Sequence, residues 1–513
     1  MKKALYCTAI LSGCLLSLAA CSDLEIDESV YHTKTYQFSD FDKVKEVMTN
    51  VYGYLETGFA PVGGTMRDCA SDDAVYAGIY DPTETFHNGS WSSNYLIDDK
   101  WNHYYAGIRA ANYLMENCPD DFPAAQWQET YERDLAQLRN FPWEAKALRA
   151  WFHFELLKRY NKIIIADRSF TEEEVNGLSQ STFSHTADWI AAELEEAAEH
   201  LPADYNSGLL AQFSELGRVT KGFALAARAR VLLYAASPLN NPDGDKEKYF
   251  KAAAAAKEFM DWNRTARIYS LVEGEEFNKE NAKGLVFGIR EKASNAFESA
   301  NFPVGYEGGN SGVCPTRNLV EAFEAGDPRL SKTVLSNGDA FKGTAVESYT
   351  GGRNGPPRDL ASPTSYYLRK FIQESTNLAV GSTTSFQHIW PVLRLHEVYL
   401  NYAEALFEAT EDPYFTGSHG DVNFSMSPAE AVNAVRTAAP MPDLPAGLDA
   451  PAFRTSLRNE RRVELAFEDH RFWDIRRWKT GDETTEIYGL VIEYGGSSEK
   501  VLVQSRVWDD RMY

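Results

Sequence analysis

Apolar and small residues recur every three or four positions through six long segments, residues 100–117, 143–160, 187–200, 218–236, 246–262 and 392–409. A period near 3.6 held over several turns turns one face of each segment to a core, so the chain is expected to be mainly α-helical. Pro142 stands just before the second segment, where a helix starts, while Pro238 and Pro413 stand just beyond helix ends. Ala-x-x-x-Phe occurs at Ala255/Phe259 and at Ala403/Phe407. Small residues let helices approach closely, and this spacing belongs to the tetratricopeptide pattern of paired helices. Alanine is also simply a good helix former, so the two matches count only together. Residues 218–236 and 246–262 form one expected helix pair.

Two stretches, 58–99 and 266–387, break the period with Gly, Pro, Asn and aromatic residues. Irregular segments of such length are uncommon inside a compact fold and are usually functional. The expected architecture is therefore a scaffold of tetratricopeptide-like helix pairs carrying a loop-rich lobe.

At the N-terminus, Lys2 and Lys3 precede an apolar run over positions 4–16, and Leu18-Ala19-Ala20 leads directly into Cys21. That is a secretory signal over 1–20 with the cleavage site of a bacterial lipoprotein, which makes Cys21 the acylated first residue of the mature chain. The run is shorter than the roughly 20 residues a bilayer crossing needs. Residues 21–38 then form a tether opening on Ser22-Asp23-Leu24-Glu25-Ile26-Asp27-Glu28. Its acids resemble a signal for the outer face of an outer membrane, and a solvated linker explains them equally well.

The formal charge is −23, and loss of Lys2 and Lys3 with the signal makes it −25. Nucleic acid is a poor partner for such a surface, because phosphate binding needs a basic patch. Once Cys7 and Cys14 leave with the signal and Cys21 takes lipid, Cys69, Cys118 and Cys314 remain, an odd trio that makes neither a disulfide framework nor a zinc site.

Catalytic motifs fail on inspection. His396-Glu397 opens like a zinc-protease helix, but Leu400 stands where the second ligand belongs. Asp243-Gly244-Asp245 lacks the spacing of an EF-hand loop and reads as a solvated turn. Neither a nucleophile elbow nor a phosphate loop nor a dinucleotide fingerprint is legible. With 74 acidic residues a pair of glycosidase-like carboxylates could still meet in space. The chain reads as a binder without catalytic residues, metal or cofactor.

Phe86, Trp91 and Tyr95 lie among Asn88, Gly89, Ser90, Ser92, Ser93 and Asn94, and Tyr306, Tyr349, Tyr366 and Tyr367 lie in the second irregular stretch. A sugar ring has C–H groups on its faces and hydroxyls at its rim, so a binder needs aromatic platforms with planar polar groups beside them. The candidate ligand-binding residues are Trp91, Asn94, Tyr95, Arg67, Asp72, Tyr306, Tyr349 and Arg353. Trp91, with small polar neighbours, is expected to be the freest platform. The alternative is that these aromatics pin the loops to the helices.

Residues 459–478, with Asn459-Glu460-Arg461-Arg462 at one end and His470-Arg471-Phe472-Trp473-Asp474 toward the other, closely resemble the C-terminal signature of SusD/RagB nutrient-uptake lipoproteins. Trp143-Glu144-Ala145-Lys146-Ala147, Gly217-Arg218-Val219-Thr220-Lys221 and Arg394-Leu395-His396-Glu397-Val398 agree in order. The resemblance implies a SusD-like N-terminal region over 39–240, with tetratricopeptide-like helices, and a RagB/SusD C-terminal region over 241–513. It further implies capture of a glycan or other nutrient, delivery to a SusC-like TonB-dependent transporter, and attachment to the outer membrane through the lipid. Within the signature, Val463, Ala466, Phe467 and His470 would share one helix face, with Glu460, Glu464 and Glu468 beside Arg461, Arg462 and Arg471 in a salt-bridged structural element. Family chains usually continue past a segment like 506–513 and this sequence stops there, which leaves truncation of the C-terminus open. Two other functions compete: a surface-anchored glycoside hydrolase, and a helical-repeat adaptor for proteins.

Overall fold

The computed structural model describes residues 33–509 apart from Ser93, Ser214, Glu280 and Asn281. The signal, Cys21 and the acidic residues after it lie outside the described residues.

The periodic segments form helices α1 (Trp101–Asn117), α2 (Phe141–Tyr160), α3 (Phe183–His200), α4 (Lys221–Ala236), α5 (Lys246–Ala266) and α6 (Leu395–Thr410). Three more follow: α7 (Pro428–Ala438), α8 (Ala450–Glu464) and α9 (Arg471–Trp478). Their starts are written locally. Thr182, Thr220, Asp245, Ser427 and Asp449 each accept a first-turn amide of α3, α4, α5, α7 and α8, satisfying donors that the helix leaves open. Pro142 is not outside α2 but within its first turn, where its missing N–H costs nothing. Asp245 is thus a cap, and Gly244 takes positive φ in the turn before it.

Helices adjacent in sequence pack side by side, from α1 on α2 through to α6 on α7. The expected pair of α4 and α5 is among the most extensive of these contacts. Ala255, Phe259, Ala403 and Phe407 are all buried, and α5 packs along α6. The fold is mainly α, of the tetratricopeptide-like type.

Two expectations shift. Residues 392–394 are not the first turn of α6 but the end of strand β4 (Ile389–Arg394), paired antiparallel with β2 (Leu285–Arg290) and buried along its whole length. The family-like signature is also not one helix. It is α8, a break at 465–470 in which Phe467 and Asp469 take φ of 59° and 61°, and then α9.

Buried ion pairs hold that break. Arg394 donates to Glu464 at 2.9 Å and to Glu468 at 2.6 Å, Arg461 donates to Asp474 at 2.8 Å, and Arg477 grips Glu404 of α6. Such pairs seldom add net stability over apolar packing, but losing one partner strands a buried charge at a cost of about 3–5 kcal/mol. The signature is thus salt-bridged as expected, but to other partners: Glu460, Glu464 and Glu468 pair with Arg329, Arg436, Arg394 and Lys370, while Arg461, Arg462 and Arg471 pair with Asp474, Asp73 and Asp72.

The two irregular stretches are joined to each other. Strand β1 (Ala74–Tyr76) pairs antiparallel with β3 (Val313–Pro315), and Thr316 continues the contact by donating to the Asp72 and Asp73 carbonyls. Behind this pairing Val75, Phe302, Cys314, Leu335, Phe341, Val346, Tyr367 and Ile487 form a second apolar cluster. The hairpin of β5 (Glu486–Ile492) and β6 (Ser498–Ser505) closes over it. The lobe therefore has a core of its own.

Candidate functional site

The sequence candidates fall into three environments. Arg67 and Asp72 are inside the protein: Arg67, 1% exposed, donates to Asp98 and Asp469, while Asp72 receives Arg462 and Arg471. Their polar atoms serve the fold and not a ligand rim. Burial alone would raise the Asp72 carboxyl, but the Arg462 and Arg471 charges hold it far below the usual carboxylate range.

Trp91, Asn94 and Tyr95 share one loop. Trp91 is half-buried, edge-to-face on Phe86 at 5.0 Å and with the Arg476 guanidinium 5.4 Å from its ring centre. Phe86 in turn meets Phe472 of α9. Far from lacking neighbours, the indole clamps its loop to the signature helix. Asn94 and Tyr95 stand in the tight turn that follows, where the Tyr95 amide bonds the Ser92 carbonyl, and Tyr95 is 60% exposed.

Tyr306 and Arg353 come together over the second cluster. The Arg353 Nη2 donates to the Tyr306 hydroxyl at 2.9 Å, to Thr344 Oγ1 at 3.0 Å and to the Ala345 carbonyl at 2.6 Å, and its guanidinium carbon lies 4.5 Å from the Tyr306 ring centre. Tyr306 packs edge-to-face on Phe341 of the cluster. Tyr349 opens the turn that carries Arg353, and its ring meets Tyr494 at 5.5 Å. Tyr494, 83% exposed, comes from the hairpin of β5 and β6, anchored here by Thr350 donating to the Ile492 carbonyl. Reading for platforms missed Tyr494; its signal was a ring beside the turn-forming Gly495-Gly496. Tyr366 and Tyr367 are buried and take no part.

The result is two ring groups on the lobe, Tyr306 with the Arg353 guanidinium seated on the second cluster and Tyr349 with Tyr494. Residues 274–510 match the family model described as SusD family, and residues 24–233 match one described as starch-binding, associating with outer membrane. The chain belongs to the SusD family. A SusD-like protein from Bacteroides fragilis superposes with a TM-score of 0.75 at 25% identity, covering 94% of this chain and 95% of that one. A SusD-like carbohydrate-binding protein from the same species gives 0.71 at 21%, covering 92% and 96%. SusD-like protein P25 of Formosa agariphila is 23% identical over 404 residues, 74% of this chain and 70% of its own. The α1–α7 array and the signature break are thus a SusD-family scaffold. Among the described residues no helix is long and apolar enough to cross a membrane.

Proposed function

We propose that this SusD-family chain captures an oligosaccharide or polysaccharide on its loop lobe, without cleaving it, and passes it to a SusC-like TonB-dependent transporter. The observation that carries the reading is the Tyr349–Tyr494 pair, in which Tyr494 is 83% exposed and rests edge-to-face on a partly buried Tyr349, on a surface where such a ring has no structural reason to face water. Sugar C–H faces stack on such rings, and Arg353, oriented by Tyr306 and Thr344, supplies a planar donor for rim hydroxyls. Tyr95 and Asn94 offer a second exposed contact. The carbohydrate-binding neighbour supports the ligand class, and the family description supports outer-membrane association.

Affinity electrophoresis against a panel of neutral and acidic polysaccharides, followed by product analysis, tests both halves. One class should retard the protein, with no new reducing ends after prolonged incubation. Turnover that vanished on mutating a carboxylate pair would make the chain a hydrolase instead. For anchoring, Cys21→Ala should leave the membrane fraction; full retention there would remove Cys21 as the lipid site.

A further inference from the structure

Asparagine is followed by glycine at four places, Asn88-Gly89, Asn176-Gly177, Asn337-Gly338 and Asn354-Gly355. In this dipeptide the glycine nitrogen can attack the carbonyl carbon of the asparagine side chain, because no Cβ on the glycine crowds the approach. The nitrogen must be free to move, the side chain must lie over the following peptide, and water must reach both. The fold meets these conditions unequally.

Three of the four pairs are held. The Gly177 amide donates to the Glu174 carbonyl at 3.0 Å, and Asn176 Nδ2 donates to the Glu172 carbonyl at 3.1 Å. The Gly338 amide donates to the Val346 carbonyl at 2.8 Å, while Asn337 Oδ1 accepts the Ser348 amide at 3.0 Å. Asn354 is fully buried, with Nδ2 on the Val304 carbonyl at 2.6 Å and the Gly355 amide on the Gly352 carbonyl at 3.2 Å.

Asn88 differs on each count. Asn88 and Gly89 are exposed, and among the described residues neither the Gly89 amide nor Asn88 Nδ2 donates a hydrogen bond to the protein. Ser90 donates to Asn88 Oδ1 twice, from its amide at 2.9 Å and from its hydroxyl at 2.5 Å. The ring that the amide bond closes contains both Asn88 Cγ and the Gly89 nitrogen, so it folds the carbon under attack over its nucleophile. Both donors point at the oxygen that gains negative charge when that carbon is attacked.

We propose that Asn88 is a self-modification site, where the chain converts its own side chain to a succinimide and then to aspartate or isoaspartate. The Gly89 nitrogen gives its proton to solvent and bonds to Asn88 Cγ. The Cγ–Nδ2 bond breaks, and Nδ2 leaves as ammonia with a proton from water. Water then opens the ring at either carbonyl. Both products add a negative charge, and isoaspartate also adds a carbon to the main chain of the turn that leads to Trp91.

The test holds full-length protein at mildly alkaline pH, folded and in denaturing urea. Samples are read by peptide mapping with mass spectrometry and by enzymatic methylation of isoaspartate. In urea the restraints of the fold are gone, and the four pairs should convert at comparable rates. In folded protein Asn88 should convert about fivefold or more faster than each of the other three, the factor that one hydrogen bond is worth. Ser90→Ala, which removes an exposed hydroxyl and keeps the amide, should slow Asn88 about threefold in folded protein and not in urea. Conversion of Asn176, Asn337 or Asn354 ahead of Asn88, or a folded Asn88 no faster than the others, would overturn the site. An unchanged rate in folded Ser90→Ala would overturn the part given to Ser90.

Discussion

Arg471 meets Asp72 with two parallel hydrogen bonds, Nε to Oδ1 at 2.8 Å and Nη2 to Oδ2 at 3.0 Å, across 399 positions of chain. The pair ties the first irregular stretch to the start of α9. Arg462 of α8 reaches the same carboxylate at 2.9 Å, so Asp72 staples both helices of the signature to the loop lobe.

Asp72→Ala would leave the largely buried Arg471 guanidinium without its carboxylate and Arg462 with Asp73 alone. It should cost about 3–5 kcal/mol of stability, with glycan affinity of the folded fraction unchanged. Chemical denaturation and a binding titration on one preparation measure both. A stable variant that had lost only affinity would return Asp72 to the ligand rim.

Acid should destabilise the protein in two stages. Among the described residues, burial lowers the pKa of four histidines, His153 to about 3, His396 to about 4, and His87 and His470 as well. The unfolded chain takes these protons below about 6.5 and the folded chain does not, so stability falls as pH drops from there. Asp68 and Asp73, raised by burial, act in the opposite sense but are fewer. The second stage belongs to carboxylates. Burial alone would raise Glu404 and Glu155, but Arg477 beside the first and Lys158 with Arg159 beside the second hold both at about 2. Their contribution is complete above 4.5 and is lost between 4.5 and 2. Denaturation midpoints taken from pH 7 to pH 3 should decline throughout and steepen below 4.5; a flat profile between 6.5 and 4.5 would refute the histidine stage.

Trp473 is a structural residue. Its ring is buried, Nε1 donates to Asp469 at 3.2 Å, and Lys158, Arg159 and Arg67 lie over its face at 4.5, 5.3 and 5.1 Å. Trp473→Ala should cost about 3–5 kcal/mol, as should Phe467→Ala. A folded Trp473→Ala protein with unchanged melting temperature and lost affinity would reverse the assignment.

The helices were legible because period and caps are local: α5 was expected to begin at Lys246 and does. β4 was misread because a short apolar run carries no period that separates buried strand from buried helix. The break at 465–470 was illegible for another reason. Left-handed Phe467 and Asp469 flank Glu468, which Arg394 holds, and Asp469 is itself held by Arg67, partners some 70 and 400 positions away. The same distance hid the fate of Arg67 and Asp72: a polar residue in a loop looks free until its counter-charge is brought to it. Tyr306 and Arg353 do meet, because turn formers kept their segments at the surface.

Tyr494 and Trp91 separate platform from clamp. Tyr494 is exposed and rests mainly on Tyr349, so Tyr494→Ala removes little buried surface and should leave the melting temperature nearly unchanged. If glycan stacks on the pair, the loss should be about 1–2 kcal/mol of binding, roughly five- to thirtyfold in affinity. Trp91 packs on Phe86 and under Arg476, so Trp91→Ala should lower the melting temperature whatever it does to binding. Isothermal titration and thermal melts of both variants against the retained polysaccharide place each residue by its pair of changes. Full affinity in Tyr494→Ala, with affinity lost in a Trp91→Ala protein that melts normally, would move the platform from the Tyr349–Tyr494 pair to the Trp91 loop.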